Sequence, residues 1–172
     1  HHPTLRRQRQ MCIRDSPQRR KIADRQHFWI VEGLACYMES YRKKKDVVSI
    51  GDPGSIRFQA ARYRLLQEKY YLPLSRLAEM GKLAFQNDTK ISMNYSQSSG
   101  LVHFFMHYDE GRYRDALIQH VALLYRPSAR PVRVAGLDTL TGVPYEELDR
   151  QYQAYLVQLA KDQGEQYPIP GQ

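Results

Sequence analysis

The chain has 172 residues, of which 42% are hydrophobic, and a formal net charge of +8. That length supports one ordinary domain with a core of its own, and no apolar run approaches the roughly 20 residues needed to cross a bilayer. The charge argues against a specific nucleic-acid binder once its placement is read. Residues 1–25 hold eight Lys and Arg against two Asp, which is +6, and everything after them carries only +2; such a leader touches anions non-specifically.

In chain order the leader comes first. Met11-Cys12-Ile13-Arg14-Asp15-Ser16 is what ATG TGT ATA AGA GAC AGN encodes, and that string resembles a transposon end used as an adapter in sequencing libraries. Residues 1–16 are therefore expected to be non-native or disordered, and are set aside from fold reasoning. Arg-rich polar sequence also stands where a signal peptide would be apolar. Without Cys12, Cys36 is alone and reads as a small core residue, with no disulfide.

The first predicted helix is FWIVEGLACYMES, Phe28–Ser40. It is apolar all round, the pattern of a buried helix, yet it contains Glu32, and a buried carboxylate needs a hydrogen-bonding, ionic or metal partner. The polar run Arg42–Asp46 ends this pattern, and Val47–Ile50 leads into the turn Gly51-Asp52-Pro53-Gly54. Ser55 is placed to cap a second helix with Phe58, Ala61, Leu65 and Leu66 inward. Residues 70–86, with Pro73 as a helix starter, read as one or two short helices broken by Asn87-Asp88.

A further helix is expected from about Met93 to Tyr108, closed by Gly111. Next, Tyr113, Ala116, Leu117, His120, Val121 and Leu124 follow helical spacing. Pro127–Pro131 reads as a loop. The last helix starts at Pro144, with Glu146 and Glu147 at its positive end, and buries Leu148, Tyr152, Tyr155, Leu156 and Leu159. Residues 163–172 are expected to form a flexible tail. The fold class is all-α, an irregular helical bundle over residues 17–162.

The pattern Trp29-x-x-Glu32-Gly33-x-Ala35-x-Tyr37-x-Glu39 resembles the glutamate helix of gluzincin metallopeptidases, and residues 17 to 156 resemble the C-terminal part of peptidase-MA-like domains of unknown function. Tyr95-Ser96-Gln97-Ser98-x-x-Leu101-Val102-x-Phe104 and Gly142-Val143-x-x-Glu146-Glu147-Leu148-Asp149-x-x-Tyr152-x-x-Tyr155-Leu156 agree with later helices of that family. The resemblance implies a zinc-dependent peptidase acting on peptide or protein substrates. In it Glu32 would be the third zinc ligand, Tyr95 the hydroxyl donor to the oxyanion, and Glu39 a residue that holds a ligand His or a neighbouring donor.

The other two zinc ligands of such enzymes lie in an H-E-x-x-H helix, whose Glu is the general base. No H-E-x-x-H occurs in this sequence. The reading is therefore a C-terminal fragment of a metallopeptidase domain, inactive by itself because the H-E-x-x-H segment is missing, with zinc belonging to the intact parent and none held stably here. The alternative is a degenerate peptidase-like binding or scaffold module. His103 and His107 have ligand spacing, but Phe104 stands where a base would be, so both are read as structural or surface residues. Gly100, in mid-helix, marks close packing.

Overall fold

The computed structural model describes residues 23–126 and 134–165. Its elements are α1 (Phe28–Met38), β1 (Arg42–Lys44), β2 (Val47–Ser49), α2 (Ile56–Leu66), α3 (Leu74–Glu79), α4 (Lys82–Gln86), α5 (Ile91–His107), a 3-10 turn (Tyr108–Gly111), α6 (Arg114–Tyr125), α7 (Leu137–Thr141) and α8 (Tyr145–Asp162). The all-α expectation holds, with a two-stranded antiparallel ribbon added to it. The leader and the Pro127–Pro131 loop lie outside the described residues.

The axis of the fold is α5. It packs along α1 and α2 and is crossed by α8, and every residue from Ser96 to Phe105 is buried. Such a helix can be surrounded only if its neighbours come close, and its Ser-Ser-Gly centre permits that. A Cβ on Gly100 would stand 2.5 Å from the Tyr152 hydroxyl and 2.9 Å from Ala61 Cβ, so the glycine marks helix packing as expected. The buried hydroxyl of Ser98 is satisfied by the carbonyl of Asn94, 2.7 Å away on the preceding turn.

The same argument applies to Gly33 on α1. A Cβ there would meet the Ser98 carbonyl oxygen at 2.6 Å and Val102 Cγ2 at 2.8 Å, and backbone cannot yield as a side-chain tip can. Gly33→Ala should therefore force α1 off α5 and cost about 3 kcal/mol. In a domain of this size that is roughly a 6–12 °C fall in Tm, measurable by thermal denaturation. An unchanged Tm would mean that the two helices are not in this close register.

The connections are held by polar side chains that reach from the helices. Gln97 brackets Leu72, its amide oxygen accepting from the Leu72 N–H at 2.9 Å while its amide nitrogen donates to the Leu72 carbonyl. Asp149 on α8 accepts from the first N–H of α3, Leu74, at 3.0 Å and from the Tyr71 hydroxyl. It thereby satisfies one of the donors that every helix N-terminus leaves open. Pro73 precedes that helix as expected. Ser55 also precedes α2 as expected, but its hydroxyl makes no cap bond and is buried without a partner.

One further expectation is corrected. The Val47–Ile50 approach to the turn contributes a strand: Arg42–Lys44 and Val47–Ser49 pair across a two-residue turn in which Lys45 has φ 54°. β-branched residues suit an extended chain, and a short charged arm gives no period-2 signal. At the C-terminal end of the described residues, the Glu165 carboxylate pairs with Arg62, whose side chain is fully buried. Residues 166–172 lie outside the described part.

Candidate functional site

Helix α1 divides the motif residues between two faces. Phe28, Trp29, Ile30, Gly33, Cys36 and Tyr37 are buried against the core, with Trp29 6.3 Å from Phe105 and Tyr37 5.9 Å from Phe58 between ring centroids. Glu32 is only half-buried, and Ala35, Met38 and Glu39 are exposed. The expectation of a helix enclosed on all sides is thus overturned: at 3.6 residues per turn, positions 32, 35 and 39 form a stripe that is half-buried at Glu32 and exposed at Ala35 and Glu39. Trp29, Gly33 and Tyr37 serve packing, and Glu32 stands where packing ends.

Glu32 has Tyr95 as a neighbour. Tyr95 lies in the second turn of α5, its ring set edge-on to Phe85 at 5.3 Å. Burial first, and then the nearby Glu32 carboxylate, push the phenol above its ordinary pKa, so at neutral pH it stays protonated. Two residues 63 positions apart, each marked by its sequence motif, are brought near each other by the packing of α1 on α5.

Glu39 is placed differently. Its carboxylate takes a two-point hydrogen bond from Arg57 on α2, with Nε at 2.6 Å. That bond holds Glu39 below the usual carboxylate range. Both side chains are about half exposed, so the pair contributes little to stability. The partner of Glu39 in the structure is thus Arg57. Cys36, between them on the buried side, is a free thiol whose pKa burial raises, which makes it inert.

The histidines are engaged elsewhere. His103 Nε2 lies 3.0 Å from the Gly51 carbonyl, to which it donates, leaving Nδ1 to accept from the Tyr155 hydroxyl at 2.8 Å. His107 Nε2 shares a 2.7 Å hydrogen bond with the Tyr37 hydroxyl. The pair with ligand spacing therefore pins the Gly51 turn and α8 to α5. His27 and His120 lie edge to face with ring centroids 4.6 Å apart. Periodicity places His120 on an apolar stripe but does not mark His27 or the buried Arg62, because pairing across distant elements leaves no local pattern.

Two of these buried rings give an acid dependence. Burial, reinforced by the neighbouring imidazole, lowers His27 to about 4 and His103 to about 3 from an ordinary 6.5. Their folded-state pKa values lie below the unfolded one, so the unfolded chain takes up protons first as pH falls. Stability is complete above about 6.5 and is lost as pH drops toward 4 and then 3. Urea unfolding at pH 7 and pH 4.5 should differ by about 2–3 kcal/mol per histidine. Equal midpoints would show that neither ring is held neutral by burial.

Among the described residues no group of three His, Cys, Asp or Glu is placed to hold a metal ion. Glu32 offers one oxygen ligand with a tyrosine beside it, whereas a catalytic zinc takes three protein ligands and an open position. These residues alone do not make a zinc centre. What they do make is a carboxylate with a phenol nearby, at the partly exposed edge of two tightly packed helices. Compared with protein-family models, with curated proteins and with solved structures, the chain has no match to any of the three.

Proposed function

We propose that this chain is the C-terminal helical part of a gluzincin-like zinc metallopeptidase domain, and that Glu32 and Tyr95 are its contribution to the active centre. The observation that carries the reading is the nearness of the Tyr95 phenol to Glu32 on a partly exposed helix face. A carboxylate kept for stability would be expected to face a cation, and Arg57 is engaged by Glu39 instead. A tyrosine beside a ligand carboxylate is positioned to donate to an oxyanion developing near the same centre.

Zinc, where the domain has an H-E-x-x-H segment to complete the ligand set, would polarise the peptide carbonyl and activate water. This chain's own residues would orient and donate: Glu32 as ligand, Tyr95 as hydrogen-bond donor, and Gly33 by letting α1 lie close enough to α5 to bring the two together. The substrate class is a peptide or protein. Zinc content and peptide hydrolysis of a domain completed by such a segment test the reading. For this chain by itself, the expected result is loss of added zinc on dialysis. Zinc retained at one equivalent, and lost on Glu32→Gln, would mean that the described residues bind it unaided.

A further inference from the structure

The β1–β2 hairpin is exposed along both strands. Val47 is 69% and Val48 57% accessible, and the adjoining Met38 and Tyr41 are also exposed. A two-stranded hairpin is marginal in water without a covered face, so exposed valines here are not explained by the fold beneath them. Charge is concentrated in the same place: Arg42, Lys43, Lys44 and Lys45 against Asp46, a local +3 on a region that is otherwise nearly neutral.

Register decides how charge and apolar surface are arranged. Lys43 is opposite Val48 and Lys44 opposite Val47, and directly opposed residues project to the same face while successive ones alternate. Each face of the ribbon therefore carries a lysine beside a valine. We propose that the hairpin is a finger that docks on an anionic lipid surface, its cations at the headgroup phosphates and its valines at the acyl boundary. Lysine stems reach along apolar surface while the ammonium stays at the polar layer, and a fluid interface can cover both faces of a thin ribbon at once. A nucleic-acid backbone would satisfy the cations and leave the valines in water. The inference is independent of the peptidase reading.

Sedimentation of the full chain with phosphatidylcholine vesicles, with and without roughly one-third phosphatidylserine, tests it. Each cation near such a surface contributes about five-fold, so Lys43→Glu with Lys44→Glu should weaken binding to anionic vesicles more than ten-fold. Val47→Ser with Val48→Ser, which leaves the charge unchanged, should weaken it about ten-fold. Arg6→Glu with Arg7→Glu, the same charge change in the leader, should weaken it less than the hairpin pair does. Because the hairpin is exposed, every variant should keep the parent Tm. The proposal is overturned if the valine variant binds like the parent, if the leader variant loses as much as the lysine variant, or if the hairpin variants lower Tm. It is also overturned if duplex DNA binding depends on the lysines while the valines matter for neither partner.

Discussion

Tyr95→Phe, in a domain completed by an H-E-x-x-H segment ahead of Pro17, should keep its zinc and lose about 10²–10³ in kcat with little change in KM. The hydroxyl is the only group removed. The ring stays edge-on to Phe85, so the fold and the position of α1 should not change. A donor aimed at an oxyanion acts in the transition state, and its loss is read in kcat. Glu32→Ala in the same domain should lose zinc and turnover together, because it removes a ligand. Zinc content and turnover thus separate two neighbouring residues. If Tyr95→Phe kept full activity, the phenol would have no part in the chemistry; if it lost zinc and fold together, it would be a core residue.

Glu165→Gln should destabilise the chain by about 3 kcal/mol, at the lower end of the range for breaking a buried ion pair, because Glu165 is 17% exposed while the Arg62 side chain is fully buried. Arg62 donates through Nε to Glu165 at 2.7 Å and through Nη1 to the Pro53 carbonyl at 2.8 Å. It joins α2, the turn before it and the end of α8. Without the carboxylate a buried guanidinium is left under-compensated. Combining Arg62→Met with Glu165→Gln should recover most of the loss, since a buried pair replaced by apolar volume is often neutral. Urea unfolding of both variants at neutral pH measures this, and equal losses in the single and double variants would show that the cost is one of packing.

Elements with a strong local signal are legible in the amino-acid order alone. The apolar spacing of α5, α6 and α8, Pro73 before α3, Ser55 before α2 and the break at Asn87-Asp88 all depend on residues within a turn or two of each other. The hairpin is not legible in this way, because two three-residue strands hold too few positions for alternation to register. Leu83 illustrates the same limit: it is apolar on a correctly expected helix, yet 73% exposed. Helix α4 is five residues long and turns only Phe85 fully inward, and its periodicity alone does not say which side faces the core.

Periodicity, breakers and motif spacing are local properties, and they suffice for the helical class, most element boundaries and the identities of Glu32, Glu39 and Tyr95 as residues to watch. Long-range packing was needed to place Glu32 at a partly exposed edge, to bring Tyr95 near it, to give Glu39 to Arg57, and to commit His103 and His107 to Gly51, Tyr155 and Tyr37. Most of those arrangements are set by how closely two helices approach. That approach depends on Gly33 and Gly100 meeting backbone and side chains that are 39 residues or more away along the chain.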